Sequence, residues 1–341
     1  MRVSSLLRVG VVASALGLLA SAASAEEVTI KFATLAPDGS SWMKLLKAAA
    51  KDLATKTAAI DGGKVTVKIK YFAGGSAGDE KDAIRKIRGG QLDGAAVTAV
   101  GLGMIQPEVR VQELPGVLTA GNNTQLDCVR NKLAPDFEKK FYEKGYILLG
   151  WGDVGPVHIF TNVEFKSMAD LKKGKFWAWT DDDIIREFIK KMNLNGEPLG
   201  VPGVLPALQT GKIDSIYASP LATVALQWYT KVKYMSKAPI GVAIGAMIIR
   251  KESFEKLPPD VQTAMRENAK AVAVKLKDTV RKDNDKAIKA MVKGGIKMID
   301  IPADISAAIK TAGDQVSGAL VPKLFSKDLL DKVKATAAGC K

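Results

Sequence analysis

From residue 28 the chain alternates. VTIKFAT (28–34) sets apolar and polar residues on opposite faces, the period-two pattern of a half-buried strand, and enters a turn at Pro37-Asp38-Gly39. The period then lengthens: Trp42, Leu45, Leu46 and Ala49 form one stripe at helical spacing, which predicts a helix from about Ser40. VTVKIKYF (65–72) predicts a second strand, the glycine-rich AGGSAG (73–78) a turn, and DEKDAIRKIR (79–88) a second helix. Strand and helix in alternation favour a parallel sheet with helices on its faces.

The pattern repeats at longer range. In AIRKIRGGQLDGAAV (83–97) and VLPALQTGKIDSIYA (204–218), Ile87, Gly90, Leu92 and Asp93 match Leu208, Gly211, Ile213 and Asp214 at an offset of 121. Each stretch reads as an amphipathic helix, a glycine stop, then a strand opening with an acid. Two domains of similar design follow. The second half begins near YILLGWG (146–152) and continues through HIFTN (158–162), a short helix opened by Ser167 with Asp170, and the strand KFWAW (175–179). DDDIIREFIKKM (181–192) predicts a helix whose acids, Asp181 to Asp183, suit its N-terminus better than a cation site. After the strand GVAIGAMIIR (241–250), a helix predicted from Pro259 to about Lys293 would run roughly 50 Å, long enough to lie along both domains. IKMIDI (296–301) returns as a strand and two short helices finish the chain.

KFWAW raises a specific question. Trp177 and Trp179 share one face of an extended strand, with Phe176 and Ala178 on the other. Large residues on a core strand explain this, and so does an aromatic wall lining a pocket.

Composition narrows the functional classes. Arg2 and Arg8, the apolar run Val9 to Ala20 and Ala23-Ser24-Ala25 form a secretory leader with its cleavage site, so residues 1–25 are expected to be removed. That places the remaining 316 residues (341 minus 25) in the periplasm, a length that suits about two domains. The net charge of +14 is spread over helical stretches without aromatic-interleaved basic blocks, which reads as a solvated surface, not a nucleic-acid site. The only two cysteines, Cys128 and Cys340, lack metal or redox spacing. A disulfide between them would tie down the C-terminus, but the sequence does not show that they meet.

One pattern points toward catalysis. Gly74-Gly75-Ser76-Ala77-Gly78 fits G-x-S-x-G between a strand and a helix. The only histidine, His158, lies in a predicted strand, where a structural role suits it better than a triad role, and the glycine turn has a simpler use in offering N–H groups to a ligand. No metal cluster or dinucleotide fingerprint is present, so no enzyme, cofactor or metal is expected.

The segments LGWGDVGPVHIFTN, SMADLKKGKFWAW, VLPALQTGKIDSIYASP and SFEKLPPDVQTAM, preceded by KFATLAPDGSSW, YFAGGSAGDEKDAIRKIRGGQLDGAAV and ELPGVL, together resemble the periplasmic solute-binding subunits of TRAP (tripartite ATP-independent periplasmic) transporters, of the dicarboxylate-binding type. The resemblance covers nearly the whole chain after the leader. It implies an α/β, two-lobed periplasmic solute-binding protein fold with hinge strands and a long helix spanning both lobes. It also implies hinge closure on a small-molecule ligand and docking on TRAP membrane permease subunits. The expected division is lobe I from 26–149 plus about 241–282, lobe II from 150–240 plus about 283–330, and a tail at 331–341.

The resemblance departs where ligands are held. Acid-binding members read roughly D-L-K-G-x-K-I-R-V, with an arginine that clamps the ligand carboxylate; aligned on Asp170-Leu171-Lys172, that arginine falls on Trp177. A second family arginine falls on Val157 and an assisting asparagine on Ala218, so all three positions are apolar. The chain is thus similar to a branch with a W-x-W strand that binds hydrophobic ligands, some of whose members work with a periplasmic tetratricopeptide-repeat protein. The expected site combines Trp177, Trp179 and Tyr217, backed by Trp228, with Leu35 and Ala36, Gly75 and Ser76, and Thr98 and Ala99 at strand ends. The competing expectation is an organic-acid binder whose cation has moved, to Lys175 or Arg250.

Overall fold

The computed structural model describes residues 26–340. The expected leader, 1–25, lies outside the described residues. The chain begins with β1 (Glu26–Thr34), α1 (Ser41–Ala58), β2 (Val65–Phe72), α2 (Glu80–Arg88), β3 (Gly94–Thr98), α3 (Ala99–Gly103) and α4 (Asn123–Glu143). It continues through β4 (Tyr146–Thr161), α5 (Met168–Leu171), β5 (Lys175–Trp179), α6 (Asp183–Lys191), β6 (Asn195–Leu199), α7 (Val201–Gln209), β7 (Ser215–Ala218) and α8 (Pro220–Ala225). The last third holds β8 (Tyr234–Ser236), β9 (Gly241–Arg250), α9 (Lys251–Glu255), α10 (Pro259–Lys293), β10 (Lys297–Ile299), α11 (Ala303–Leu320) and α12 (Lys327–Ala338).

The strand order is β2-β1-β3-β9-β4-β7-β5-β6. β1 lies parallel to β2 and β3 in the first lobe, and β5 parallel to β6 and β7 in the second. Between them β9 runs antiparallel to β3 and β4, and β4 antiparallel to β7. The 16-residue β4 crosses from one lobe to the other, with irregularities opposite β9 between Leu148 and Gly150 and between Asp153 and Gly155. Gly155 has φ +126°, and a Cβ there would lie 2.4 Å from the Asn284 amide of α10, so only glycine lets the strand pass that close.

Local chemistry sets the element ends. Ser40 caps α1 by accepting from Met43 N at 3.3 Å, and Asp79 caps α2 in a capping box completed by Asp82. The repeat seen in the sequence recurs in the hydrogen bonds. Gly90 and Gly211 both adopt φ +71° after α2 and α7, so each helix stops in a conformation that disfavours other residues. Asp93 accepts from Lys31 N at 2.8 Å while its own N–H donates to Lys31 O; Asp214 does the same with Lys175, accepting at 2.7 Å. One helix–turn–strand unit therefore builds both lobes.

The long α10 binds the lobes together. Val261, Met265 and Val272 pack with Ile30 and Phe32 of β1, whereas Met291 packs in the cluster that holds Trp177 and Trp179. Arg281 of α10 donates to Asp127 of α4 and to Asp153 of β4, and Arg130 also pairs with Asp153.

Residues 331–338, in the expected C-terminal tail, form the end of α12 (Lys327–Ala338). Val333 and Ala337 are buried in the cluster that contains Leu126, Val129 and Phe137, because α12 carries an apolar stripe that α4 covers. Cys128 of α4 and Cys340 are bonded, with Cα atoms 5.8 Å apart and a sequence separation of 212. Replacing both by serine is expected to lower the free energy of unfolding by about 2–5 kcal/mol in denaturant titrations. Reductant should destabilise the wild type and leave the double variant unchanged.

Candidate functional site

A cavity of about 270 Å³ lies between the lobes, walled by strand ends and by the crossing strands β4 and β9. Its second-lobe wall is aromatic. The Trp177 and Tyr217 rings stack at 4.8 Å and 12°, Trp177 and Trp179 at 5.7 Å and 29°, and Trp228 meets Trp177 edge-on at 5.3 Å. These side chains are also core: Trp177 is 3% exposed and Trp179 7%. Phe176 and Ala178 face the opposite side of β5, into another part of the core.

The polar ends of this wall are already engaged. Trp177 Nε1 donates to Leu199 O at 2.9 Å, and Trp179 Nε1 to Asp79 Oδ2 at 3.0 Å. The Tyr217 hydroxyl accepts from Trp179 N at 3.3 Å. Trp177 and Trp179 thus offer ring faces and not their indole donors. Asp79 also accepts from Val201 N at 2.9 Å, so one carboxylate of the first lobe grips both β5 and the start of α7 in the second. Lys81 bonds Asp181 at 3.0 Å across the same seam. The lobes are closed.

Charge in the lining is sparse and paired. Among the described lining residues, Arg110 is the one cation, against the carboxylates Glu80, Glu113, Asp153 and Asp182. Arg110 sits in the 3₁₀ stretch Pro107–Glu113 and is 4% exposed. It donates to Asp182 at 2.8 Å and to Glu113 at 3.2 Å. Burial works against its charge, but the two carboxylates outweigh that cost and hold its pKa above the usual value. Burial pushes Glu113 up to about 7 despite the pull of Arg110, which leaves Asp182 as the shorter-range counter-ion. Asp182 also caps α6, accepting from Ile184 N and Ile185 N. Glu80 is 2% exposed and accepts from Thr98 N, Thr98 Oγ1 and Gly101 N, at 2.7, 2.9 and 2.7 Å.

The structure brings together Trp177, Trp179, Tyr217, Val157, Ala218, Leu35 and Thr98 around the cavity, with Ala36 and Trp228. Three expected residues, Gly75, Ser76 and Ala99, are not among the lining residues. Ser76 lines a shallow depression beside Asp38, Lys47 and Tyr71, because Gly74, Gly75 and Gly78 take positive φ and turn it off the cleft. The N–H groups of Gly74, Gly75 and Ser76 bond to Ala36, Thr34 and Ala73 carbonyls, so they hold the turn and not a ligand. Ala99 follows Thr98 into α3, and its fully buried methyl points into the first-lobe core. Lys175 and Arg250 are not among the lining residues: Lys175 Nζ donates to Gly211 O, and Arg250 pairs with Glu252. His158 is buried in β4 with Nδ1 2.9 Å from Ser236 O, and burial lowers its pKa. The Arg110, Glu113 and Glu80 contributions were not read from the sequence. The available signal was charge inside the apolar run VRVQEL.

A cleft enclosed between two βα-built lobes on shared crossing strands defines a two-lobed binding protein. The model of the bacterial extracellular solute-binding proteins, family 7, matches residues 32–323, and the chain belongs to that family. The 2,3-diketo-L-gulonate-binding periplasmic protein YiaO of Escherichia coli is 25% identical over 274 residues, covering 78% of this chain and 79% of that one. Among solved structures, a TRAP periplasmic solute-binding protein from Desulfovibrio salexigens with bound orotic acid superposes with a TM-score of 0.81 at 18% identity, covering 92% of this chain and 99% of its own. DctP7 of Bordetella pertussis, an extracytoplasmic solute receptor binding pyroglutamic acid, gives 0.80 at 19% identity, covering 91% and 100%.

Burial pushes the Glu80 carboxyl up to about 7, against an ordinary value of 4.5. In the unfolded chain the group ionises near 4.5, in the folded chain near 7. Its stabilising contribution is therefore complete below about 4.5 and lost as the pH rises through about 7. The stability difference between wild type and Glu80→Gln is expected to shift by roughly 3 kcal/mol against the wild type between pH 4.5 and 8. Paired chemical denaturation across that range measures it; a difference independent of pH contradicts the assignment.

Proposed function

We propose that this chain is the periplasmic solute-binding subunit of a TRAP-type transporter that closes on a small, uncharged, hydrophobic ligand and delivers it to the membrane permease. The observation that carries the reading is the stacked Trp177–Trp179–Tyr217 wall beside a cleft in which Arg110, the one cation among the described lining residues, is already neutralised. A ligand carboxylate entering this cavity finds the lining guanidinium of Arg110 already bonded to Asp182 and Glu113, so its desolvation goes uncompensated. An apolar ligand instead gains roughly 25 cal/mol for each Å² of its surface removed from water. The lobe boundaries fall near 149/150 and 240/241, where β4 and β9 cross, and closure follows from ligand contacts made with both lobes together. The apolar character at 157, 177 and 218 also supports a partnership with a periplasmic tetratricopeptide-repeat protein, as in the W-x-W branch.

The structural relatives named above bind acids, and the competing reading is an organic-acid receptor with a relocated cation. Organic extraction of the purified protein followed by mass spectrometry separates the two. A hydrophobic molecule at near-stoichiometric yield over a protein-free control supports our reading, and a small organic acid overturns it. For that hydrophobic ligand, Trp177→Arg is expected to weaken binding by at least about tenfold, ~1.4 kcal/mol, whereas Trp177→Phe keeps it within about threefold. Wild-type affinity in both variants removes the aromatic wall from the site.

A further inference from the structure

A guanidinium buried in an apolar cleft needs an anion, and in a binding protein that anion can come from the ligand or from the chain itself. Here it comes from the chain. Asp182, 7% exposed, reaches from the second lobe to Arg110 of the first at 2.8 Å, and its Oδ1 is fixed by the N–H groups of Ile184 and Ile185 at 3.0 and 3.2 Å. Both residues line the ligand cavity. We propose that Asp182 is a specificity-determining residue: it occupies, in cis, the place on Arg110 that a ligand carboxylate would take. It thereby rejects carboxylate ligands and supplies an inter-lobe contact that they would otherwise make. This rests on the reading of the inter-lobe cavity as the solute site.

The position permits a clean test, because serine caps a helix about as well as aspartate but is too short to reach the guanidinium. Asp182→Ser therefore leaves α6 capped and opens a carboxylate-sized gap beside Arg110. The probes are benzoate and its uncharged counterpart benzyl alcohol, titrated calorimetrically into the purified protein. Wild type is expected to favour benzyl alcohol. Asp182→Ser is expected to move the benzoate-to-benzyl-alcohol affinity ratio at least tenfold toward benzoate, and adding Arg110→Gln to return it to the wild-type value. Asp182→Gly, also an acceptable cap, serves if the serine variant does not fold; retained benzyl alcohol binding reports an intact cavity. An unmoved ratio with benzyl alcohol still bound overturns the role of Asp182 alone, as does a gain that persists without Arg110. Wild type favouring benzoate overturns both this inference and the uncharged-ligand reading. Wild type binding neither probe counts against the aromatic pocket itself and, with it, against this inference.

Discussion

Both lobes hang on the antiparallel pair β4–β9. β9 completes the first-lobe sheet against β3, and β4 continues past it to pair with β7 of the second. Everything in the cleft is referred to this pair: Gly150 to Val154, Gly241 to Ala243 and Gly245 to Met247 line its floor, and the two irregularities of β4 fall at either end of its lining stretch. An irregularity weakens the ladder and bends the strand where the lobes diverge. The pair alone would be loose. Asp153, on β4, is held by Arg130 of α4 and Arg281 of α10, while Asn284 of α10 bonds Val154 O and Leu221 N. The crossing strands are thus braced from behind by one helix that touches both lobes.

Against that frame, the choice posed by KFWAW was not a choice between exclusive alternatives. Trp177 is buried among Trp179, Tyr217 and Trp228 as any core residue is, and the same ring borders the cavity. A wall that keeps its shape needs this: rings stacked on one another and bonded through their polar atoms lose little freedom when a ligand arrives. The Trp177 and Trp179 N–H groups are each spent on a protein acceptor, and one of those acceptors, Asp79, belongs to the other lobe. The aromatic wall therefore both borders the cavity and makes an inter-lobe contact.

Much of the fold was readable because period and punctuation agree. The strand at 28–34, the cap at Ser40, the helix from Pro259 to Lys293 and the repeated Gly–Asp signal at an offset of 121 each carry their own local physics, and the structure has them in place. Family likeness added the apolar positions 157, 177 and 218, all of which border the cavity. What could not be read was direction. Ser76 and Thr98 both lie near strand ends, yet the φ angles of three glycines turn one away while α3 holds the other at the cleft. Arg110 was missed for a related reason: Pro107–Glu113 is a 3₁₀ stretch with no sustained apolar period, so nothing local says which way its charge points. The Cys128–Cys340 bond belongs to the same class, since a 212-residue separation carries no geometric information until α12 is docked on α4.

The closed arrangement has an energetic consequence. Polar contacts between the protein's own groups cross the seam, among them Asp79 with Trp179 and Val201, Lys81 with Asp181, and Arg110 with Asp182. The exposed Lys81 pair contributes little; the Asp79 contacts are part-buried and the Arg110–Asp182 pair buried, and breaking them on opening would return their groups to water instead of leaving them orphaned. Such contacts can favour closure modestly and fix its register strongly, so the lobes meet in one arrangement. A ligand then need not carry charge to draw the lobes together; it has only to fill the apolar space that closure creates. On the uncharged-ligand reading proposed above, polar chemistry aligns the lobes and the aromatic surface discriminates among solutes by size and shape.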